Sequence, residues 1–127
     1  MLQAAGLTFR VPFLMLAALA IAAGTAASDP ARPRNLFYGA IAYHAASGSI
    51  GWATDRKSSR EAQLEALRQC GHERCEVVAS VTRGCAALAR DAKKFIVQKG
   101  ATRQEAETKA LRRCGAQCEI AAWTCTR

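Results

Sequence analysis

The chain has few of the residues on which catalysis and nucleic-acid recognition depend. It contains two histidines, two tryptophans, two tyrosines and ten acidic residues in a length of 127. It has no Gly-x-x-x-x-Gly-Lys phosphate-binding loop, no nucleophile-elbow motif and no Cys-x-x-Cys pair. The shortage of stacking aromatics argues against a platform for single-stranded nucleic acid. These absences point away from nucleotide-dependent enzymes, serine hydrolases, thioredoxin-like redox proteins and nucleic-acid-binding proteins.

The apolar run near the amino terminus is too short to cross a membrane. Residues 11–23 form a run of 13 residues, whereas a transmembrane helix needs roughly 20. Arg10 precedes the run and the small residues 25–27 follow it, which is the pattern of a cleavable export signal. We therefore predict a signal peptide over residues 1–27, with an uncleaved anchor as the alternative. The mature protein is expected to be secreted or periplasmic, with no transmembrane segment after cleavage.

Acidic residues are outnumbered by basic ones. Removal of Arg10 with the signal leaves 17 Lys plus Arg against 10 Asp plus Glu, a net charge of +7. Such a balance favours an anionic partner outside the cytoplasm, such as an envelope polymer, lipid head groups or an acidic protein. The alternative is that the charge only keeps the surface soluble. Because export removes the usual targets, no nucleic-acid partner is expected.

One helical motif occurs twice in the chain. Residues 58–71 read SSREAQLEALRQCG, and residues 102–115, which begin 44 positions later, read TRQEAETKALRRCG. Seven residues recur at matching positions, among them a cysteine and a glycine at the end, and a further cysteine follows each copy. Apolar residues in both copies have helical spacing. The duplication therefore predicts two similar helices within one domain.

Both predicted helices have start and stop signals. At the start, Ser58 and Glu61 have the spacing of a capping box, and Thr102 and Glu105 repeat it. In such a box each side chain bonds to the backbone N–H of the other residue. The residues expected to form left-handed carboxyl-terminal caps are Gly71 and Gly115.

Short apolar segments before and after the helices predict strands. They are residues 36–43, 50–54, 75–81, 84–89, 95–98 and 118–124. We predict a single α+β domain over residues 36–127, preceded by a flexible mature amino terminus at residues 28–35. It consists of duplicated ββα units, 36–83 and 84–127, with a closing strand. Two helices pack on an antiparallel sheet, and disulfides staple the fold.

All six cysteines lie after the predicted signal, which in a small exported domain indicates a disulfide framework. Two of the expected bridges tie a helix end to the strand behind it, and the third joins the second hairpin to the chain terminus. The predicted pairs are Cys70–Cys75, Cys114–Cys118 and Cys85–Cys125. The spacing of Cys70 and Cys75, taken with that of Cys114 and Cys118, also approaches the spacing of a four-thiolate zinc site. A redox-active cysteine pair is the remaining alternative. Because thiols oxidise in exported proteins, we expect disulfides, with no metal and no cofactor.

His44 is the candidate for a catalytic base. Ser47 and Ser49 follow it in a predicted turn and Asp55 follows the next strand, so a Ser/His/Asp arrangement can be drawn. No surrounding motif supports this arrangement, and we expect His44 to be a loop or edge residue. The other histidine, His72, is expected to be exposed in a turn. We therefore predict that the protein is not an enzyme.

Two groups of residues are candidates for a binding surface. The aromatic residues of the predicted strands are Tyr38, Tyr43, Trp52 and Trp123. We expect them to pack in the core, with a ligand-binding platform as the alternative. The basic residues that would form a positive region for an anion or a partner are Arg68, Arg90, Lys93, Lys94, Arg112 and Arg113. Those near helix ends also have a structural explanation, because cations stabilise the carboxyl-terminal end of a helix dipole.

The ordered motifs of the chain resemble a family of small exported bacterial domains. They are residues 38–43 (YGAIAY), 58–70, 84–89 (GCAALA), 101–106 (ATRQEA) and 123–125 (WTC). Over residues 37–126 the chain looks like the domain of unknown function 4189 family. The resemblance implies export and disulfides, and it carries over no catalytic residues. One departure is visible at residues 95–100 (FIVQKG), where family members often have a glycine- and tryptophan-rich hairpin.

These patterns favour a non-enzymatic, disulfide-stapled binding or interaction module, secreted or periplasmic. Its partner would be another protein, including an enzyme or toxin that the module inhibits. The alternative is a basic envelope-associated protein that binds an anionic polymer or a membrane surface. The two hypotheses differ in their expected salt dependence, because contacts between exposed charges weaken as salt is added.

Overall fold

A computed structural model describes residues 36–127, together with Gly24. The predicted signal peptide (1–27, Gly24 apart) and the predicted flexible segment (28–35) lie outside the described residues. The elements, in chain order, are β1 (Tyr38–His44), β2 (Ser49–Arg56), α1 (Ser59–Cys70), β3 (Glu76–Thr82), β4 (Cys85–Arg90), β5 (Phe95–Gly100), α2 (Arg103–Cys114) and β6 (Glu119–Cys125). The described chain is thus an α+β domain in which the order ββαβ occurs twice.

The antiparallel strands form two sheets of three strands each, with the orders β2-β1-β3 and β5-β4-β6. The structure confirms the predicted antiparallel pairing and the two packed helices, but the strands are divided between two sheets and do not form the single sheet that was expected. The reason for the difference is that β3 returns to pair with β1, and β6 returns to pair with β4. Each repeat therefore completes its own sheet, and the repeating unit includes the strand that follows its helix.

The central strand β1 separates large side chains from small ones. Ile41 and Tyr43 face the second sheet, and they belong to the core shared by the two sheets. Ala40 and Ala42 point to the opposite side, where they pack against α1. The alternation follows from the two-residue period of a strand. Because alanine is small, the helix lies close to the sheet.

The second sheet repeats this arrangement. Leu88 of β4 faces the first sheet, whereas Ala87 and Ala89 pack against α2. Ile41 and Leu88 are the largest fully buried side chains, one from each central strand. The domain therefore has four layers, in the order α1, first sheet, second sheet, α2.

The helices begin at the predicted Ser58 and Thr102 caps and end differently from each other. Ser58 Oγ accepts a hydrogen bond from the backbone N–H of Glu61 at 3.1 Å, and Thr102 makes the equivalent bond to Glu105. The reciprocal half of the predicted capping box is not formed at α2, because Glu105 Oε2 accepts a hydrogen bond from the backbone N–H of Ala101 and not from that of Thr102. Gly71 has the expected left-handed conformation, with φ 70° and ψ 8°. The predicted left-handed cap at the end of α2 is not present, because Gly115 has φ 112° with an extended ψ of 177°. Neither helix of the described domain has the length and apolar character needed to cross a membrane.

All six cysteines form disulfides, in the pairs that the sequence analysis predicts: Cys70–Cys75, Cys85–Cys125 and Cys114–Cys118. The first and third connect a helix end to the following loop. The second connects residues that pair directly in the ladder of β4 and β6. Because every thiol is oxidised, these cysteines do not form the alternative four-thiolate zinc site.

Candidate functional site

The two sheets meet along two seams. At one seam β2 lies beside β6, and at the other β3 lies beside β5. The first seam is closed by Thr124, whose Oγ1 donates to the carbonyl oxygen of Ala53 at 2.8 Å and lies 2.9 Å from Thr54 Oγ1. These bonds hold the edge strands of the two repeats together. They therefore fix the relative position of the side chains along this seam.

Both tryptophans of the chain lie at the first seam. Trp52 comes from β2 and is 46% exposed, and Trp123 comes from β6 and is 39% exposed. With Thr54, Ala121 and Ala122 they line a shallow cavity of about 220 Å³, which we name the Trp cleft. Since the chain has two tryptophans in all, the Trp cleft holds every indole of the protein.

Helix α2 positions one wall of the Trp cleft. The guanidinium carbon of Arg103 lies 3.9 Å from the centre of the Trp123 ring, a cation–π contact. Arg103 Nε also donates to Glu107 Oε1 at 2.7 Å, so the guanidinium is held over the ring from its own helix. The indole of Trp123 therefore lies against a fixed support.

The expectation that the four strand aromatics pack in the core is wrong for Trp52 and Trp123. Tyr43 is buried in the core between the sheets, and Tyr38 is half-buried. The tryptophans differ because β2 and β6 are edge strands, beyond which no further strand covers a side chain. A sequence pattern shows that a residue belongs to a strand, but it does not show that the strand lies at the edge of its sheet.

The six basic residues that were expected to form one positive region lie in three separate places. Arg68 is bound by Glu65, with Nη2 to Oε1 at 2.6 Å, and this hydrogen bond lowers the pKa of Glu65 and raises that of Arg68. Arg90 reaches the other repeat, where Nη1 donates to the carbonyl oxygen of Gly48 at 3.1 Å and the guanidinium lies over the Tyr43 ring. Both residues therefore have structural contacts.

The other four basic residues lie at or near the carboxyl-terminal end of α2. Arg112 and Arg113 are in its last turn. Lys94 Nζ is 3.8 Å from the position that a side chain on Gly115 would take, and Lys93 precedes Lys94 in the turn between β4 and β5. We name these four residues the basic cluster. Its position complements the negative end of the helix dipole.

The carboxylate of Asp91 organises the turn that carries the two lysines. Its Oδ1 accepts hydrogen bonds from the backbone N–H groups of Lys93 at 2.7 Å and Lys94 at 2.8 Å. These bonds lower the pKa of Asp91, with a smaller contribution from the lysine charges. The ionised carboxylate is therefore the form that holds the turn.

We expect the contribution of Asp91 to stability to disappear in acid. Because folding lowers its pKa, the contribution is complete above the ordinary value of 3.8 and is lost as the pH falls through the lower, folded value. Asp91→Asn keeps an oxygen acceptor without the charge. Its free energy of unfolding should be lower than that of the wild type at pH 7, and the difference should close below about pH 4. Urea denaturation at a series of pH values measures this, and a difference independent of pH would contradict it.

The Ser/His/Asp arrangement considered for His44 does not form. His44 Nδ1 lies 2.6 Å from Ser47 Oγ, and its ring stacks on that of His72 with the centroids 4.0 Å apart. Asp55 lies near the far end of β2, where its carboxylate contacts Arg127. His44 is thus the last residue of β1, where it pairs with Ser49 at the mouth of the first hairpin.

The sequence profile named Domain of unknown function (DUF4189) matches residues 38–125, which span most of the described domain. The chain belongs to this family. The match confirms the resemblance drawn from the ordered motifs. The family description assigns no activity.

A solved structure supports the fold of this family member. The chain is similar to Rv1813c from Mycobacterium tuberculosis, whose structure was determined by NMR, with 37% sequence identity and a TM-score of 0.60. The similarity covers 70% of this chain and 74% of that chain. Among curated proteins no match was found.

Proposed function

We propose that the protein is an exported, non-enzymatic binding module that presents the Trp cleft to a protein partner. The observation that carries the proposal is the exposure of Trp52 and Trp123 side by side on a scaffold stapled by three disulfides. Tryptophan is enriched among the few residues that supply most of the binding energy at protein interfaces. A rigid scaffold also lowers the entropy that is lost on binding.

The size and charge of the Trp cleft favour a protein partner over a small molecule. Its volume of about 220 Å³ is below the range of roughly 300–1,000 Å³ that is usual for small-ligand pockets. It suits one or two apolar side chains of a larger surface. Because the chain carries an excess of basic residues, the partner surface would be apolar at the centre and acidic at the rim. An enzyme or a toxin that the module inhibits belongs to this class.

The proposed location is the periplasm or the outside of the cell. Three disulfides in a domain of this size fit an oxidising compartment. The export signal expected at residues 1–27 supports the same location. Such a location would place the Trp cleft in contact with envelope or extracellular proteins.

Truncation of the tryptophans tests the proposal. We expect the oxidised domain to capture one stoichiometric protein from the envelope or culture fraction of its own cells. Trp52→Ala and Trp123→Ala should each weaken that complex by about 2 kcal/mol or more, roughly 30-fold in Kd. Leu64→Ala is the matched control, because Leu64 is a 55% exposed apolar residue on α1 outside the cleft. Equal affinity of all three variants for the captured protein would refute the proposal.

The basic cluster supports a second candidate function, which is binding to an anionic envelope polymer or membrane surface. Lys93, Lys94, Arg112 and Arg113 are exposed and form no ion pair within residues 36–127. Such a contact would be released by moderate salt, because exposed charges are screened over about 10 Å at 0.1 M salt. A complex centred on the Trp cleft would resist the same salt, since most of its free energy comes from apolar burial.

A further inference from the structure

The second seam, between β3 and β5, is open and forms the larger of the two seam cavities. Its volume is about 550 Å³, which lies within the range of small-ligand pockets. The polar side chains that matter for its chemistry are Ser59, Ser80, Arg83, Lys99, Glu105 and Lys109. We name this cavity the hydroxyl cleft. It contains none of the residues of the Trp cleft or of the basic cluster.

The hydroxyl cleft and the Trp cleft occupy equivalent places in the duplicated fold. Ser80 and Trp123 hold equivalent positions. Ser80 follows Ala79, which pairs with Ile41 of β1, and Trp123 follows Ala122, which pairs with Leu88 of β4. Ile41 and Leu88 are the largest buried side chains of the two central strands. The equivalent helix residues, 44 positions apart, are Ser59 with Arg103 and Gln63 with Glu107. The same framework therefore holds an indole and a guanidinium at one seam and two hydroxyl groups at the other.

One amide aligns the two hydroxyl groups. Gln63 Nε2 donates to Ser59 Oγ at 3.1 Å and to Ser80 Oγ at 3.2 Å. Each serine oxygen thus accepts a hydrogen bond from the protein, which leaves its own O–H free to donate. Two oriented donors at the wall of a cavity suit a ligand group that only accepts hydrogen bonds.

The charges of the hydroxyl cleft add to this preference. Its one acidic residue, Glu105, is paired with Lys109 at 2.8 Å, and that contact lowers the pKa of Glu105, so this carboxylate stays ionised and its charge is balanced. Arg83 and Lys99 are exposed and form no ion pair among the described residues. The cleft therefore has two uncompensated cations, one of them a planar guanidinium, which matches phosphate and carboxylate oxygens.

We propose that the hydroxyl cleft binds a small ligand through an oxyanion, either a phosphate or a carboxylate group. Ser59 and Ser80 donate to its oxygens, and Arg83 and Lys99 neutralise its charge. The site is independent of the protein partner proposed for the Trp cleft. The duplication thus provides two binding sites of different chemistry on one scaffold.

Arg83 offers a variant that removes charge without straining the chain. It has φ 51°, a left-handed conformation that costs most residues free energy and that asparagine tolerates better. Arg83→Asn therefore keeps the backbone and removes the guanidinium. Arg74→Ala is the matched control, because Arg74 is an exposed cation in the loop between α1 and β3 and does not line the hydroxyl cleft.

The test is a titration of the ¹⁵N-labelled, oxidised domain at low ionic strength, with inorganic pyrophosphate and, separately, with citrate. We expect saturable amide shifts at Ser80, Arg83 and Lys99 with at least one anion, and the tighter anion identifies the phosphate or the carboxylate class. Arg83→Asn should weaken binding about tenfold, since a charge-assisted hydrogen bond is lost, and Arg74→Ala should change it less than twofold. The proposal is overturned if neither anion gives saturable shifts in the cleft. It is also overturned if both variants weaken binding equally, because that result indicates only general charge attraction.

Discussion

Replacement of Gly51 by alanine should destabilise the domain by about 3 kcal/mol, at the upper end of the range for overpacked cores. An added Cβ would lie 2.2 Å from the carbonyl oxygen of Ala66 and 2.3 Å from the backbone nitrogen of Cys70. Ordinary contacts begin at about 3.4 Å. Both atoms belong to the backbone of α1, so no side-chain rotation relieves the clash. The whole helix would have to move away from the sheet, while the Cys70–Cys75 bridge holds its end.

Gly71→Ala is the control for the conformational effect of replacing a glycine. Gly71 has φ 70°, but a Cβ there would meet no atom closer than 3.8 Å. We expect this variant to lower the free energy of unfolding by about 1 kcal/mol, because alanine is strained in the left-handed conformation. Urea denaturation of both variants at neutral pH measures the difference. If Gly51→Ala costs no more than Gly71→Ala, the close approach of α1 to the sheet is not a determinant of stability.

Removal of the Cys85–Cys125 bridge should have an equal or larger effect. It closes a loop of 40 residues, which in the chain-entropy treatment corresponds to about 4 kcal/mol of stabilisation. The total stability of a small domain is roughly 5–15 kcal/mol. The double variant Cys85→Ala/Cys125→Ala should therefore melt roughly 15–30 °C below the wild type.

The matched control is the double variant Cys114→Ala/Cys118→Ala. This bridge spans four residues, so the same treatment gives about 2 kcal/mol. Calorimetry of both double variants under the same oxidising conditions measures the two losses. If the local bridge stabilises the domain as much as the long one, the stabilisation by these disulfides does not come from the entropy of the unfolded chain.

The helices could be predicted from the sequence because their signals are local. Ser58 and Gly71 bound α1 within a span of 14 residues, and the second copy of the motif repeats most of the pattern. The division into two sheets could not be predicted in the same way. Whether β3 pairs with β1 or with the second hairpin depends on contacts between residues about 40 positions apart, and the apolar pattern of β3 is the same in both cases.

The candidate sites were harder to predict for a related reason. Trp52 and Trp123 are 71 positions apart, and their sequence context is that of buried strand residues. Their exposure results from the edge positions of β2 and β6. The hydroxyl cleft has no signal in the sequence, because Ser59, Gln63 and Ser80 are ordinary residues of a helix and a strand. The strand pairing of the two repeats reveals the difference, since Ser80 stands where the other repeat has a tryptophan.

The indole N–H signals of the two tryptophans report on whether a protein partner binds at the Trp cleft. A ¹H–¹⁵N correlation spectrum of the oxidised domain contains two such signals, from Trp52 and Trp123. Titration with the purified captured protein should shift or broaden both, and the effect should persist at moderate salt. If the partner instead perturbs the amides of the basic cluster and leaves both indole signals in place, the Trp cleft is not the binding site.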